Sequence, residues 1–276
     1  MSARLKSLAR QNREITERGG YTAPGGSWVA LDGRVDAAVR GTRVYGPEPV
    51  AVSPAGGAAT VFEVTGEDSL AAARRLTEAG PSRVGVLNFA SARNVGGGYV
   101  NGARAQEEDV CRASALYECL LSVPEFYTAH RADPSPFYSD RVIHSPAVPV
   151  FRDRRGGLLD APYGVDFLTA AAPNAGVIAR QTPERTGEIP GALLRRAGRV
   201  LEAAAAGGCR ELVLGAWGCG VFRNEPAVVA GAFAALLLDG GRCAGWFERV
   251  VFAVWERAEA APARGAFEER FAVARA

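Results

Sequence analysis

The sequence predicts an α/β fold, a three-layer α/β/α sandwich in which helices cover both faces of a mixed or largely parallel sheet. Two observations support this prediction. From about residue 60 onward, apolar runs with strand character alternate with segments of helical spacing. The 276 residues, 48% apolar and 22% charged, also suffice for one large domain with a full hydrophobic core.

The N-terminal part departs from this alternation. Residues 3–18 carry apolar side chains near helical spacing, which predicts a short amphipathic helix. Residues 20–59 are rich in glycine and proline and contain only short apolar runs, which predicts an accessory layer of short strands and turns. We therefore divide the chain into an accessory extension, residues 1–55, packed on one compact unit, residues 56–276.

The regular pattern opens with a strand, a helix and a second strand. The spacing predicts a strand at Thr60–Val64, a helix at Asp68–Ala79 that Gly80 ends, and a buried strand at Val84–Phe89. The same criteria predict the remaining elements: helix Gln106–Val123, strands Val142–His144 and Asp166–Ala172, helix Gly191–Ala206, strand Glu211–Leu214, helix Pro226–Leu238, strand Val250–Val254 and helix Ala263–Ala274.

Charge and composition exclude several function classes. The net charge is only +2, from 32 basic and 30 acidic residues, which argues against a dedicated binder of duplex DNA. The longest apolar run, Ala227 to Leu238, is too short to span a membrane and predicts a buried helix. The N-terminus has no apolar signal region, so we expect no secretory signal.

The cysteines and histidines give little support for a metal site. Five cysteines occur without a CxxC pair, so neither a disulfide framework nor a structural zinc site is indicated. His130 and His144, the two histidines, are interpreted as structural. We expect no metal, no cofactor and a location in the reducing cytoplasm.

A first glycine-rich loop follows the strand Val84–Phe89. Gly96, Gly97 and Gly98 remove every Cβ from a short arc, so its backbone can approach a ligand closely and adopt positive φ. For a lone glycine triplet, a flexible surface turn is the better explanation. Here the loop joins a buried strand to a helix, and the spacing alone leaves the two interpretations even.

That helix opens with Gln106, Glu107 and Glu108. Acidic residues at a helix start stabilise the macrodipole and cap free N–H groups, which is a sufficient structural explanation. Two close carboxyls in different environments are also what a general acid and an orienting partner require. The residues alone favour the structural explanation and leave the catalytic one open.

A second glycine-rich loop, Gly215–Pro226, follows the strand Glu211–Leu214. A strand, a glycine loop and a helix N-terminus together form a potential anion site. The loop matches neither GxGxxG nor GxxxxGK[ST], so Rossmann and Walker phosphate sites are disfavoured. Phe222 is suited to pack on a sugar or in the core, and Cys219 is interpreted as a small apolar filler because no histidine lies near it in sequence.

Taken together, these loops resemble a known family. Gly96–Gly98, seven intervening residues and then Gln106–Glu108 resemble the GGG…QEE signature of poly(ADP-ribose) glycohydrolases. The segment GAWGCGVFRNEP is similar to their diphosphate-binding loop. The segments VLNFASARNVGGG, VIHSPAVPVFRD and DFLTAAAPN resemble the bacterial-type branch, whose core is a macrodomain. The resemblance covers essentially the whole chain and makes residues 56–276 a macrodomain-like catalytic domain.

The resemblance implies hydrolysis of the ribose–ribose O-glycosidic bonds of poly(ADP-ribose), with release of ADP-ribose. It implies that Glu108 protonates the leaving oxygen, that an oxocarbenium-like ribose forms, and that Glu108 then deprotonates the attacking water. Glu107 would hydrogen-bond the ribose and the leaving hydroxyl. Ser91 stands where many macrodomain relatives have an asparagine that holds the distal ribose, and Asn94 is the candidate replacement.

The resemblance also implies a set of substrate-binding residues. Backbone N–H groups of both loops would hold the diphosphate, and Phe222 would pack on the distal ribose. The implied binding residues are Asn94, Gly96, Gly97, Gly98, Gln106, Gly218, Cys219, Gly220, Val221, Phe222 and Asn224. The implied partners are poly(ADP-ribose), ADP-ribose and poly-ADP-ribosylated proteins, with no direct binding of duplex nucleic acid and no membrane.

Three alternatives stay open at this stage. The first is a non-catalytic module that binds ADP-ribose. The second is a hydrolase that acts on mono-ADP-ribosylated protein or on a related nucleotide metabolite. The third is a structural α/β protein whose glycine loops are only turns. The pair Glu107 and Glu108 argues against the first, because binding alone needs no buried acid.

Overall fold

The structure is a computed structural model that describes residues 2–52, 59–256 and 262–271. Its strands are β1 (Gly20–Thr22), β2 (Trp28–Ala30), β3 (Arg43–Tyr45), β4 (Val61–Thr65), β5 (Val84–Phe89), β6 (Val142–Arg152), β7 (Leu158–Ala170), β8 (Glu211–Leu214) and β9 (Arg249–Ala253). Seven of them form a mixed sheet in the order β3-β6-β7-β5-β8-β9-β4. The pairs β3–β6 and β6–β7 are antiparallel, and the other pairs are parallel.

Helices cover both faces of this sheet. They are α1 (Ala3–Glu17), α2 (Asp32–Gly41), α3 (Ser69–Ala79), α4 (Gln106–Ala113), α5 (Leu116–Leu121), α6 (Pro124–Ala132), α7 (Ala175–Gln181), α8 (Ile189–Ala206), α9 (Pro226–Leu237) and α10 (Pro262–Phe271). Buried side chains of α1 to α6 form one hydrophobic cluster, and those of α8 to α10 form a second. The predicted three-layer sandwich with a mixed sheet is therefore confirmed.

Local sequence signals explain several helix ends. Asp68 caps α3, because its Oδ1 accepts hydrogen bonds from the backbone N–H groups of Leu70 (3.1 Å) and Ala71 (2.9 Å). Pro226 begins α9, at a position where its missing N–H removes no helical bond. Gly208, with φ +78°, follows the end of α8 and turns the chain away from the helix.

The longest apolar run of the sequence forms α9, which packs as a buried helix: Val229 and Phe233 are fully buried in the second cluster. Among the described residues, no helix is both long enough and apolar enough to cross a membrane.

The N-terminal extension contributes to the central sheet. β1 and β2 form a separate two-stranded sheet, but β3 pairs with β6 as an edge strand, with Arg43 opposite His144. α2 was not predicted, and it contacts β6. The proposed boundary at residue 55 falls among residues 53–58, outside the described residues, and the two-part division stays a prediction.

The single predicted helix Gln106–Val123 is wrong: the chain forms α4 and α5, separated at Ser114. Ser114 is extended (φ −139°, ψ 176°) and forms an isolated bridge with Val150. The next residue, Ala115, donates its N–H to the Pro149 carbonyl at 3.0 Å. Backbone pairing with β6 therefore replaces helical hydrogen bonding at this point, a tertiary effect that side-chain spacing does not encode.

Strands β6 and β7 are much longer than predicted. Proline usually marks the end of a strand, and Pro146 and Pro149 lie within β6. A bulge between Ser145 and Val148, with Ala147 at φ +48°, accommodates Pro146, and Pro149 lies opposite Gly164 in the β6–β7 pairing. Helices α6 and α7 were also not predicted. The last predicted helix, Ala263–Ala274, is described from Pro262 to Phe271, and residues 272–276 lie outside the described residues.

Candidate active site

The two glycine loops lie side by side at one edge of the sheet. β5 and β8 are parallel neighbours, with Val84 opposite Glu211, so the loops that follow them leave the sheet at the same edge. We call residues 90–105 the first loop and residues 215–225 the second loop. The carboxyl ends of parallel strands are where ligands bind in α/β sheets.

The glycine triplet forms a tight arc. Gly96 and Gly97 have φ values of +61° and +59°, the left-handed conformation that glycine tolerates best, while Gly98 has φ −99°. The arc closes through a 3.0 Å hydrogen bond from the Gly97 N–H to the Asn94 carbonyl. A Cβ on Gly96 would lie 2.8 Å from the Tyr117 ring, so packing as well as conformation requires glycine there.

Gln106 fixes the start of α4 on strand β5. Its Oε1 accepts from the Phe89 N–H at 2.8 Å, and its Nε2 donates to the Leu87 carbonyl at 2.8 Å and to Ser69 Oγ at 3.2 Å. Both ends of the amide are therefore used within the protein. These contacts position Glu107, the next residue along α4, and direct contact of Gln106 with a substrate stays a prediction.

Glu107 is buried between β5 and the first loop. Its Oε2 accepts from the Ser91 N–H at 2.7 Å, and its Oε1 accepts from Asn88 Nδ2 at 3.2 Å. Burial, reinforced by the nearby charge of Glu108, raises the pKa of Glu107 to about 8. Glu107 is therefore mostly protonated near neutral pH.

This raised pKa predicts a pH-dependent stability. Between about pH 4.5 and 8 the folded state binds a proton at Glu107 that the unfolded chain has released, so the stabilisation is complete below this window and lost as the pH rises through it. The free energy of unfolding should fall by up to about 1.4 kcal/mol per pH unit relative to Glu107→Gln.

Urea unfolding of both proteins at pH 5.5, 7 and 8.5 measures this difference. A control variant, Glu125→Gln, changes an exposed carboxyl on α6 and should follow the wild type at every pH. Parallel pH profiles for the wild type and Glu107→Gln would contradict the buried, protonated Glu107.

Glu108 combines one fixed oxygen with one unengaged oxygen. Its Oε1 accepts from the Gly98 N–H at 2.7 Å. Its Oε2 is shielded from solvent and makes no hydrogen bond to any residue that the structure describes. A Cβ placed on Gly97 would lie 2.5 Å from Glu108 Oε1 and 2.9 Å from Glu107 Oε2, so both carboxyls flank the space beside Gly97.

A buried arginine connects this helix to the loop that precedes it. Arg112 Nη1 donates to the Glu108 carbonyl at 2.8 Å, and Nη2 donates to the Ala103 carbonyl at 2.7 Å. From α1, Asn12 Nδ2 donates to the Arg112 carbonyl at 2.7 Å. The N-terminal helix therefore supports the acidic helix through a chain of hydrogen bonds.

The second loop is anchored to the end of β7. Gly218 has φ +73°, and Asn224 Nδ2 donates both to the Gly218 carbonyl (3.1 Å) and to the Pro173 carbonyl (2.8 Å). Trp217 donates its indole N–H to the Ala170 carbonyl at 3.0 Å. Asn224, predicted to bind substrate, thus shapes the loop, while its buried Oδ1 makes no hydrogen bond within the described ranges.

The tip of the second loop is open. Val221 is 81% exposed, a Cβ on Gly220 would meet no protein atom within 4 Å, and the half-buried Phe222 ring packs at 5.9 Å from Tyr138. Cys219 is half-buried, and burial raises the pKa of its thiol to about 12. A neutral thiol agrees with its interpretation as a filler rather than a nucleophile.

Several backbone N–H groups of the second loop are unpaired. Gly97 and Gly98 donate theirs to Asn94 and Glu108, as described above. In the part of the chain that the structure describes, no hydrogen bond uses the N–H groups of Gly218, Gly220, Val221 or Phe222. The second loop therefore carries the donors that an anion requires.

Sequence reasoning missed two contributors at the site. Asn88 is a fully buried amide on the otherwise apolar strand β5, and its polarity within that strand is the signal that was available. Tyr138 has φ +58°, rare outside glycine, and packs between the two loops: its ring lies 5.7 Å from the Arg93 guanidinium and 5.9 Å from the Phe222 ring. The predicted residue Asn94 is exposed on the first loop.

The metal-ligand types cluster elsewhere. Among the described residues, one group, His144, Asp166 and Cys209, has the spacing to hold an ion. Asp166 Oδ2 already accepts from His144 at 2.6 Å and from Arg83 at 2.9 Å. Asp166 pairs with Gly85, near the start of β5, so the group lies toward the end of the strand opposite the glycine loops.

Comparisons with known proteins agree with this geometry. Residues 9–153 match the family model of the microbial-type PARG (poly(ADP-ribose) glycohydrolase) catalytic domain. The chain is similar to the crystal structure of poly(ADP-ribose) glycohydrolase from Thermomonospora curvata, with 51% identity over 98% of this chain and 100% of that chain and a TM-score of 0.92. Comparison with curated protein sequences finds no match.

Two further structures contain ligands. The Thermomonospora curvata enzyme bound to the inhibitor ADP-HPD is 50% identical over 98% of this chain and 100% of that one, with a TM-score of 0.90. The Deinococcus radiodurans enzyme in complex with ADP-ribose is 45% identical over 88% of this chain and 98% of that one, with a TM-score of 0.79. The chain therefore belongs to the microbial-type poly(ADP-ribose) glycohydrolase family.

Proposed function

We propose that this protein hydrolyses the ribose–ribose O-glycosidic bonds of poly(ADP-ribose) and releases ADP-ribose. The observation that carries the proposal is the Glu108 carboxyl, with one oxygen held by Gly98 and the other shielded and unengaged beside the glycine arc. Membership of a glycosidase family and the ADP-ribose bound by the Deinococcus radiodurans relative support the substrate class.

In this mechanism Glu108 acts twice through Oε2. It first gives a proton to the leaving 2′-oxygen as the bond from that oxygen to the anomeric carbon of the terminal ribose breaks, leaving an oxocarbenium-like ribose. The carboxylate then takes a proton from the water that attacks the same carbon, which restores the acid. The Gly98 N–H holds Oε1 in place throughout.

Glu107 orients the ribose. Its carboxyl is fixed by Ser91 and Asn88, and as a mostly protonated acid it can donate a hydrogen bond to a ribose hydroxyl. A neutral Glu107 also keeps its negative charge away from a site that must admit an anionic diphosphate.

We assign the diphosphate chiefly to the second loop, where the N–H groups of Gly218, Gly220, Val221 and Phe222 have no partner among the described residues. The Cys219 N–H donates to the Ala216 carbonyl at 3.2 Å. The glycines of the first loop, Gly96 to Gly98, allow close approach and hold the acid. The diphosphate charge also stabilises the developing cation. Asn94 and Gln106 complete the assignment, the first as a ribose contact and the second through its hold on α4.

The proposal extends to poly-ADP-ribosylated proteins as substrates and to a cytoplasmic location, without direct binding of duplex nucleic acid. The five cysteines are free thiols, which supports a reducing compartment. The net charge of +2 supports recognition of the polymer by local contacts rather than by a broad basic surface.

Release of ADP-ribose from purified poly(ADP-ribose), followed over time, tests the proposal. A mono-ADP-ribosylated protein serves as the parallel substrate. Thermal stabilisation by ADP-ribose without release from either substrate would identify a binding module instead. Release of ADP-ribose from the mono-ADP-ribosylated protein, without release from the polymer, would identify a hydrolase of mono-ADP-ribosylated proteins.

Phe222→Ala should reduce turnover more than affinity. Removing the ring leaves the backbone donors of the second loop intact but frees the ribose to rotate away from Glu108, so kcat should fall about 10- to 100-fold. Steady-state kinetics and calorimetric titration with ADP-ribose measure the two effects. An unchanged kcat would reduce Phe222 to a packing residue against Tyr138.

A further inference from the structure

A second cavity lies beside the candidate active site, outside both glycine loops. It encloses about 470 Å³ where the residues before β6 meet the start of α8. We call it the arginine cavity, after the guanidinium groups that line it: Arg141, Arg185, Arg195 and Arg196. Its volume falls within the range of roughly 300–1,000 Å³ that small-molecule sites occupy.

The arginine cavity carries an excess of positive charge. Its walls hold four guanidinium groups against two carboxylates, those of Asp140 and Glu188, which leaves a formal charge of 4 − 2 = +2. Asp140 pairs with Arg195 and with the buried Arg196, and Glu188 pairs with Arg185. A diphosphate diester, with one charge on each phosphate, matches the remaining charge.

Arg141 is the cation of this cavity that is available to a ligand. It is half-buried, and within the described residues it makes no ion pair and no hydrogen bond. Partial burial strengthens the attraction between its charge and an anion, since solvent screens the pair less. Arg141 is therefore the first residue to test.

Two aromatic side chains also line the cavity. Phe137 lines it and carries the Arg185 guanidinium 4.6 Å from its ring centroid. Tyr138 lines it as well, and the same ring packs 5.9 Å from Phe222 at the tip of the second loop. Tyr138 is thus a common wall between the arginine cavity and the candidate active site.

Hydrogen bonds of Arg196 link the aromatic wall of the arginine cavity to the end of β7. Arg196 donates to the carbonyls of Phe137 (2.8 Å) and Ala171 (2.6 Å), and Ala171 immediately follows the end of β7 to which the second loop is anchored. These hydrogen bonds connect the wall of the cavity to the end of β7, which also anchors the second loop.

We propose that the arginine cavity binds a second ADP-ribosyl unit of the polymer, through its diphosphate, while the neighbouring unit occupies the active site. This inference rests on the proposed function. A polymer of ADP-ribose carries one diphosphate per unit, so two linked subsites raise its affinity above that of the monomer by effective concentration. Free ADP-ribose, which fills only the active site, gains nothing from Arg141.

Arg141→Glu tests the proposal by kinetics. We expect KM for poly(ADP-ribose) to rise about tenfold or more, because a favourable charge contact becomes a repulsive one. The kcat at saturating polymer and the calorimetric Kd for ADP-ribose should stay within twofold of the wild type. The KM difference should shrink as NaCl is raised.

Two further variants control for folding and for charge. Arg141→Gln combined with Arg185→Gln removes positive charge without adding a negative one and should raise KM in the same direction. Arg270→Glu makes the same charge change at an exposed position on α10, which contacts β4 at the opposite edge of the sheet, and should leave KM unchanged. Thermal unfolding verifies that each variant is folded.

The outcomes separate this proposal from the proposed function. No release of ADP-ribose by the wild-type protein would reject the function itself. If the wild type released ADP-ribose, and folded Arg141→Glu and the double variant had the same KM for poly(ADP-ribose) as the wild type, only the proposed role of the arginine cavity would be rejected. A third outcome would also overturn the proposal. If the wild type bound two equivalents of free ADP-ribose and Arg141→Glu bound only one, with an unchanged KM for the polymer, the cavity would be a site for a free nucleotide.

Discussion

Glu108→Gln should lower kcat for poly(ADP-ribose) hydrolysis by at least about 10³-fold while ADP-ribose still binds. A single proton-transfer group contributes roughly 10²–10⁴-fold, and Glu108 is proposed to act both as acid and as base. The amide oxygen of glutamine can still accept from the Gly98 N–H, so the first loop should keep its shape. Single-turnover kinetics and calorimetric titration with ADP-ribose measure the two properties.

The neighbouring carboxyl provides the control. Asp109 follows Glu108 on α4, but its side chain is 70% exposed and pairs with Arg112 at 3.4 Å. Asp109→Asn should therefore retain turnover within a few-fold of the wild type. A Glu108→Gln protein that turns over within fivefold of the wild type would transfer the acid role to Glu107, whose raised pKa supplies a proton near neutral pH.

Local sequence signals were sufficient where the structure depends on local chemistry. The glycine triplet predicted positive φ, and Gly96 and Gly97 adopt it. Asp68 and Pro226 marked helix starts that the structure reproduces. The alternation of strands and helices predicted the three layers, because each amphipathic element needs a partner face whatever the topology.

Sequence reasoning failed where distant residues determine the structure. Ser114 interrupts a helical pattern to pair with Val150, and the bulge that admits Pro146 lies in the pairing of β6 with the distant strand β7. The hydrogen bond from Asn12 to the Arg112 carbonyl joins residues 100 positions apart. No periodicity of spacing encodes such pairs.

The site shows the same division. The QEE sequence indicated two carboxyls at a helix start, but the residues alone favoured capping over catalysis. Burial distinguishes them: Glu107 and Glu108 are 3% and 7% exposed and accept from Ser91 and Gly98 rather than from N–H groups of their own first turn. The sequence also did not indicate that the N–H groups of Gly97 and Gly98 are used within the protein, because their acceptors, the Asn94 carbonyl and Glu108 Oε1, are set by the folded loop.

Gly97→Val should abolish both hydrolysis and ADP-ribose binding while the fold is retained. A Cβ at Gly97 would lie 2.5 Å from Glu108 Oε1 and 2.9 Å from Glu107 Oε2, closer than real side chains approach, so both carboxyls must move. The φ of +59° adds strain of about 1–2 kcal/mol for any residue with a Cβ, and valine adds a branched side chain. The backbone of the arc would then shift away from the ligand.

Gly97→Ala is the informative companion, because the clash begins at Cβ. If the added methyl group obstructed only the diphosphate, it would weaken ADP-ribose binding and leave Glu108 in place. The structure instead places this methyl group against the carboxyls of both Glu107 and Glu108, so kcat should fall about 100-fold or more. Gly220→Ala, whose methyl meets no protein atom within 4 Å, should fold normally and lose affinity for ADP-ribose alone. Calorimetric titration and single-turnover kinetics of the three variants decide between these effects. If Gly97→Val binds ADP-ribose as tightly as the wild type, the triplet is only a turn and the ligand site lies elsewhere.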